Sequence, residues 1–371
     1  MGTRGRGPPA APLVPVVRLD GGGHGAGREL DRALAAGGFC YLEGHGVPPG
    51  ALAGAFGGLG RLFSLPGAEK EGLRGAPPLG YAGRGALRLD PTAGQAGADT
   101  REQFKCARPG YAADAMGGEA GGSPREGEGG RGAHGLGGAH WPAESSAPGV
   151  REALGRYYCL VVALGRRLMA LLEGPLGLEA GYFARPGLFD RGLFLLSGNH
   201  YSAEASSPEQ GKFGCGAHTD YGALTILATD EVPGLQVCRD KRRPPAEREW
   251  LPVPPRAGAL ILNCGEMLER FSNGRYNANL HRVVSSGGRE RFSLALFFEN
   301  NADCLVHPLP ECCPPGDLPK FEPVVFSEFL RWKFDVTGES RAPDDRAPDE
   351  LSPSDYRAFR EDEADREKLY H

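Results

Sequence analysis

The chain has 371 residues, of which 40% are apolar and 24% charged, enough for one large core or two smaller ones. Its 58 glycines and 32 prolines exceed ordinary globular usage and mark part of it as low in complexity. The formal net charge is −5, and the eleven acidic and six basic side chains between Thr337 and His371 account for all of it, so there is no basic stripe of the kind that nucleic-acid binders lay against phosphates.

No uncharged apolar run approaches the ~18–20 residues of a membrane span, and no charged-then-apolar secretory leader follows Met1. Arg6 stands where N-myristoylation needs Ser or Thr. Nine scattered cysteines, an odd number with no C-x-x-C pair, suit a reducing compartment. A cytoplasmic protein without membrane or nucleic-acid partners is expected.

Residues 1–13, rich in Gly, Pro and Arg, read as a disordered leader. Val14 to Asp20 reads as a short strand, and Arg28 to Ala36 as a helix with Leu30, Ala33 and Leu34 at helical spacing. Gly38 to Leu42 is β-prone and is closed by Gly44-His45-Gly46-Val47-Pro48. Residues 50–65 present Phe56, Leu59, Leu62 and Phe63 on one helical face. Between Gly117 and Gly138 half of the residues are glycine, a composition that cannot offset its own ordering entropy. The G-x-G-x-x-G at Gly127 to Gly132 has no flanking strand and helix and is compositional. Residues 111–148 therefore read as a Gly-rich insertion or linker, with a mobile lid as the less favoured use. A long helix from Val150 to about Leu176 follows. Beyond it the period becomes two, over 193–201, 223–229, 235–238, 259–263, 280–284 and 292–298. Turn signals separate these runs, Asn273-Gly274 among them. Many short strands in series predict a barrel or jelly roll, not a parallel sheet. An amphipathic helix over 325–334 precedes the charged tail, 337–371, which reads as solvated.

The chemistry concentrates in the β-rich part. If the segment is extended, His218 and Asp220 point to one side just before the strand near Ala223. A histidine and a carboxylate form half of a 2-His-1-carboxylate triad, a ligand set that leaves metal positions open. Taken alone an H-x-D is weak. Downstream, His281 opens a strand, and Arg291 and Ser293 form a second i, i+2 pair with Ala295 and Phe297 on the same face. An arginine beside a hydroxyl suits the carboxylate of a small dianion. Each residue singly could equally be structural, but the ordered set is far less easily a coincidence.

With these residues in view, the chain resembles the iron(II)- and 2-oxoglutarate-dependent oxygenases of the isopenicillin N synthase-like superfamily, from about Val14 to Phe334. Gly38 to Pro48 is similar to the family's G-F-x-x-x-x-x-H-G-[IV]-P, and Phe63 to Lys70 to its F-F-x-L-P-x-x-x-K with Leu62 in place of the first Phe. Asn199-His200-Tyr201 resembles N-x-Y, Gly216 to Asp220 G-x-H-T-D, and Asn263 to Glu266 N-x-G-D; H-R-V and R-x-S stand at His281 and Arg291. Glu266 replaces the usual Asp, Ala278 a common Ser, and the Gly-rich segment is longer than the family needs.

The resemblance implies a mainly β protein with flanking helices around a double-stranded β-helix (jelly-roll) core. It implies an N-terminal non-haem dioxygenase region over 14–110 and a helix-plus-jelly-roll domain over 149–336, with its core about 191–305. His218, Asp220 and His281 would hold Fe(II). Arg291 and Ser293 would hold the far carboxylate of 2-oxoglutarate, assisted by Tyr201 and Asn199. O2 is the oxidant and ascorbate a possible reductant; no catalytic side chain is implied beyond the metal centre. Decarboxylation of 2-oxoglutarate to succinate and CO2 would be coupled to oxidation, foremost hydroxylation, of a small organic substrate by a monomeric enzyme. Phe297, and after it Tyr221, are expected to line the substrate pocket, with Phe298 facing the supporting layer. The final helix is placed to cover the mouth. Two alternatives stay open: a same-fold Fe(II) oxidase that does not consume 2-oxoglutarate, and a silent small-molecule-binding relative. A structural zinc site lacks a fourth clustered ligand.

Overall fold

The computed structural model describes residues 14–20, 23–89, 95, 97–116, 136–137, 139–314, 316 and 318–337. The expected leader, the G-x-G-x-x-G, most of the Gly-rich stretch and the tail beyond Thr337 lie outside these residues.

In chain order the strands are β1 (Val16–Arg18), β2 (Phe39–Glu43), β3 (Gly80–Ala82), β4 (Glu102–Ala107), β5 (Leu195–Tyr201), β6 (Cys215–His218), β7 (Leu224–Thr229), β8 (Leu235–Cys238), β9 (Trp250–Pro252), β10 (Leu260–Cys264), β11 (His281–Val283), β12 (Arg291–Phe298), β13 (Leu305–Val306) and β14 (Val324–Val325). The helices are α1 (Gly23–Gly37), α2 (Pro49–Phe63), α3 (Gly67–Glu71), α4 (Tyr111–Met116), α5 (Val150–Glu173), α6 (Glu266–Phe271) and α7 (Phe326–Thr337). An eight-stranded sheet runs β1-β2-β10-β7-β12-β5-β4-β3, and a four-stranded sheet runs β6-β11-β8-β9. Every pairing in the two is antiparallel except β1 with β2. This is the mainly β, jelly-roll class that many short strands require.

The alternation along β12 explains how the layers are held. Leu294, Leu296 and Phe298 point to one face and join the large core with Leu30 and Leu34 of α1, Leu59 and Leu62 of α2, and Leu154, Val161, Leu164 and Leu168 of α5. Each helix contributes apolar residues three or four apart, the stripe that a helix needs to lie on a sheet. The opposite face of the sheet closes on the small one through a second core that contains Tyr41, Tyr201, Cys215, Leu235, Val237, Ile261 and Val283. Phe298 stacks on Phe194 and Phe189, with centroids 4.4 and 5.3 Å away, in the supporting layer as expected.

Several local expectations change. Each of the six expected β runs contains a strand, but β3, β4, β6, β9, β13 and β14 went unforeseen. β4 is wholly buried between β5 and β3, yet its sequence Glu-Gln-Phe-Lys is too polar to read as a strand. His218 ends β6 in the small sheet while Asp220 lies beyond the strand, in the connection to β7. Asn273 and Gly274 have φ of 51° and 76° and close α6 rather than a hairpin, with the Gly274 amide donating to Glu269 O at 2.8 Å. That is the left-handed helix stop for which Asn and Gly are suited. The segment read as an insertion from residue 111 begins with α4, whose Tyr111 and Ala115 are fully buried.

Candidate metal and cosubstrate site

His218 at the end of β6 and His281 at the start of β11 are direct register partners, which sets their rings 4.3 Å apart. The connection after β6 carries Asp220 towards both. The Nε2 atoms of His218 and His281 each lie 3.6 Å from Asp220 Oδ1, and one ligand atom from each of the three residues falls within 4.8 Å of the others.

The surroundings determine which atoms are presented. His218 Nδ1 is 2.8 Å from Gly216 O and His281 Nδ1 is 3.3 Å from Asn279 O. An Nδ1–H donated to a carbonyl leaves a bare Nε2 lone pair, the tautomer that binds metals. Asn263 on β10 donates from Nδ2 to Asp220 Oδ2 at 2.6 Å, leaving Oδ1 turned to the histidines. Burial, and then the neighbouring His281, pushes the His218 imidazole down to about 3. Burial opposes ionisation of Asp220, but the two histidines and the bonds from Thr225 and Asn263 outweigh it and hold its carboxyl below the ordinary value. Two lone pairs and a carboxylate oxygen, aimed together with Asp220 and His281 buried and His218 partly so, repel one another unless a cation lies between them. The set therefore fits a divalent metal with open positions, and His with carboxylate suits Fe(II).

The large sheet carries the second feature, on the face that closes on the small one. Facing pairs run from Phe297 with Leu195, through Ala295 with Ser197 and Ser293 with Asn199, to Arg291 with Tyr201. Arg291 is 3% exposed, and its Nε and Nη1 have no hydrogen-bond partner among the described residues. Its guanidinium lies 4.9 Å from the centre of the Tyr201 ring, and Ser293 is buried two residues on. A buried guanidinium without an acceptor is costly. A small carboxylate would supply the missing partner, so the pair fits the end of a 2-oxoglutarate molecule. Asn199 is differently engaged, because its Oδ1 already accepts from Arg101 Nη1 at 2.9 Å.

A cavity lies over the metal-ligand set. His218, Asp220, Tyr221, Phe297 and Phe334 are in its lining, as are Arg101, Gln103, Lys105, Ser197 and Glu299. Both expected pocket residues, Phe297 and Tyr221, are thus on its wall, and Phe334 brings α7 to it. Lys333 beside Phe334 donates to Glu266 Oε1 at 2.6 Å, and Thr219 Oγ1 donates to the same oxygen at 2.6 Å. The glutamate that replaces the family's usual Asp thus ties α7 to the H-x-D segment. Arg291, Ser293 and Tyr201 are not in the lining of this cavity; they lie further along β12 and β5. The polar residues of β4 escaped the sequence reading. Their signal was an i, i+2 row, Arg101, Gln103 and Lys105, obscured because the opposite face begins with Glu102 and has only Phe104 and Cys106 as apolar members.

Comparison with known proteins agrees with this geometry. Residues 195–300 match the 2OG-Fe(II) oxygenase superfamily, and residues 14–120 match the family described as non-haem dioxygenase in morphine synthesis N-terminal. The chain is 31% identical over 307 residues to a homoarginine-6-hydroxylase of Oryza sativa subsp. japonica, covering 81% of this chain and 86% of that one. It is 36% identical over 193 residues to a 2-oxoglutarate-Fe(II) type oxidoreductase of Emericella nidulans, about half of each chain, at 52% and 53%. A full-length Neurospora crassa protein crystallised in complex with alpha-KG superposes with a TM-score of 0.70 at 22% identity, covering 86% of this chain and 94% of that one, which shows the shared fold. The metal-ligand cluster, the acceptor-seeking arginine and these matches agree: the chain belongs to the 2OG-Fe(II) oxygenase superfamily and is an Fe(II)- and 2-oxoglutarate-dependent dioxygenase.

Proposed function

We propose that His218, Asp220 and His281 hold Fe(II), that Arg291 and Ser293 hold the far carboxylate of 2-oxoglutarate, and that the enzyme hydroxylates a small organic molecule. The observation that carries this is the presence of three converging ligand atoms, from the small sheet and the connection after β6, together with a buried guanidinium on the large sheet whose Nε and Nη1 have no hydrogen-bond partner among the described residues. Iron with 2-oxoglutarate and O2 supplies the oxidation, coupled to release of succinate and CO2. The protein's part is placement. The Gly216 and Asn279 carbonyls fix the histidine tautomers, Asn263 turns Asp220, and the Tyr201 ring packs against the Arg291 guanidinium. Asn199 acts through Arg101. Phe297 and Tyr221 flank the substrate and exclude water, with Phe334 of α7 at the same wall. The hydroxylase named among the relatives supports hydroxylation as the outcome.

We also infer a cytoplasmic monomer that acts on small molecules and not on nucleic acid, with ascorbate as an auxiliary reductant. None of the nine cysteines is in a disulfide, which suits a reducing compartment. Among the described residues no helix is long and apolar enough to cross a membrane.

The test is the anaerobic visible spectrum of the protein with Fe(II), before and after 2-oxoglutarate. A new metal-to-ligand charge-transfer band is expected. It should vanish in Asp220→Ala and need roughly 100-fold more cosubstrate in Arg291→Ala, the cost of losing a charged hydrogen-bonding partner. Iron binding without a band would overturn the 2-oxoglutarate assignment, and an Asp220→Ala protein with an unchanged band would overturn the ligand set.

A further inference from the structure

The described lining of the cavity over the metal-ligand set holds three charged side chains beyond the ligands themselves, Arg101, Lys105 and Glu299. All three are matched inside the protein. Arg101 has its Nε 3.2 Å from Asp99 Oδ2 and donates from Nη1 to Asn199 Oδ1 at 2.9 Å. Lys105 and Glu299 are likewise engaged within the chain, and Glu299 Oε2 also accepts from the Tyr111 hydroxyl at 3.3 Å. A ligand that brought a charge to this wall would have to break one of these pairings, and a buried charge stripped of its partner is costly. The wall therefore suits a neutral molecule.

One uncharged polar group in the same lining is not matched. Gln103 of β4 is 3% exposed, and its Oε1 has no hydrogen-bond partner among the described residues. Its register partner on β5, Asn199, is already committed, accepting from Arg101 and donating from Nδ2 to Ser197 O at 3.3 Å. A buried carbonyl oxygen without a donor is costly, and buried side-chain polar atoms are seldom left so. A hydrocarbon in the cavity would leave it unpaid, whereas a hydroxyl or N–H would satisfy it. The other end of the cavity is aromatic, with Tyr221, Phe297 and Phe334 in its wall. Phe297 is in register with Leu195 and Gln103 with Asn199, four residues or ~13 Å apart along β5. The rings and the amide thus stand at two ends of one cavity.

We propose that Gln103 determines substrate specificity: the substrate is a neutral molecule whose apolar ring body packs on Phe297, Tyr221 and Phe334 and whose O–H or N–H, at the other end, is donated to Gln103 Oε1. A grip at both ends fixes which carbon is presented to the metal. This deepens the oxygenase reading and rests on it for the reaction at that carbon. Recognition itself is a property of this chain's own cavity residues.

The experiment is calorimetric binding to the full chain with Fe(II) and 2-oxoglutarate under nitrogen, so that no turnover occurs. The probes are monocyclic, bicyclic and tricyclic hydrocarbons bearing, in matched sets, a hydroxyl or its methyl ether, a primary carboxamide or its dimethylamide, a carboxylate, or an aminomethyl group. At least one hydroxyl or primary carboxamide probe should bind roughly 10- to 100-fold more tightly than its methylated partner, and more tightly than the charged members of its set. Gln103→Met, close in shape but without the amide, should bring the matched pair to within a few-fold of each other, and Gln103→Glu, which keeps an acceptor, should preserve the gap. The wild-type panel carries the test if the Met variant does not fold. Equal binding of donor and methylated probes, tighter binding of the charged ones, or no binding by any donor-bearing probe would overturn the proposal. So would a Gln103→Met protein that keeps the gap, or one that needs far more 2-oxoglutarate to develop the charge-transfer band, because the amide would then serve the cosubstrate. The same band separates the two readings. A band without the expected selectivity sinks the role of Gln103 alone, and selectivity without a band sinks the cosubstrate assignment alone.

Discussion

Asn263 does more than its place in an N-x-G-D-like motif suggests. Its amide fixes one oxygen of Asp220 at 2.6 Å and so decides which oxygen faces the histidines. Removing a hydrogen-bond partner that orients a ligating group typically costs 10–100-fold in metal affinity. Asn263→Ala is therefore expected to weaken Mn(II) binding, used as a redox-stable probe, by about that factor in competition with a chelator. Unchanged affinity would mean that Asp220 is oriented by Thr225 and its backbone alone. The motif was legible in the sequence, whereas the contact it makes was not, because Asn263 and Asp220 are separated by 43 residues and meet only where β10 pairs with β7.

At the scale of elements, the position of α5 against β12 depends on Gly165. A Cβ built there would lie 2.3 Å from Phe298 Cδ2, in the stack that Phe298 forms with Phe194 and Phe189. Helix propensity alone would favour Ala over Gly by about 1 kcal/mol. Forcing an extra methyl into a packed core costs typically 1–3 kcal/mol, and here the obstacle is a ring already stacked on two sides. Gly165→Ala is expected to lower stability by up to about 2 kcal/mol net, measured by denaturant unfolding; a stabilised variant would show that α5 can shift on the sheet. The long helix itself was legible from its apolar repeat. β4 was not, because it buries polar residues on its cavity face and its Glu102 on the opposite one.

For the whole molecule, the polar network behind the sheet sets an acid limit. Glu102 is 3% exposed and accepts from Lys70 Nζ at 2.7 Å and the Tyr81 hydroxyl at 2.6 Å, while His200 Nδ1 lies 2.7 Å away. Burial alone would raise its carboxyl. The partners His200, Lys70 and Tyr81 outweigh burial and bring it from 4.5 to about 2. A depressed carboxyl contributes stability that is fully present above its unfolded value and is lost as pH falls towards the folded one. The contribution, on the order of 3 kcal/mol, should therefore disappear between about pH 4.5 and 2. Glu102→Gln should be less stable at pH 7 and show a shallower fall through that window, followed by urea unfolding across pH. A variant with the wild-type slope would place the acid sensitivity elsewhere.

What the sequence determined by itself was whatever depends on short-range order: the helical stripes of α2 and α5, the β-prone runs of β5, β7, β8, β10, β11 and β12, and the ordered motifs that carry His218, Asp220, His281, Arg291 and Ser293. These patterns follow from the geometry of a single element and survive without knowledge of its neighbours. Only the tertiary structure decided that His218 and Asp220 come from a strand end and the connection after it. It also decided that Glu266 reaches Lys333 of α7, and that Arg101, Gln103 and Lys105 share a cavity with the metal ligands. Those relations depend on strand pairing between residues tens to hundreds of positions apart, and a polar side chain shows whether it faces solvent or a buried wall only when the opposing sheet is in place.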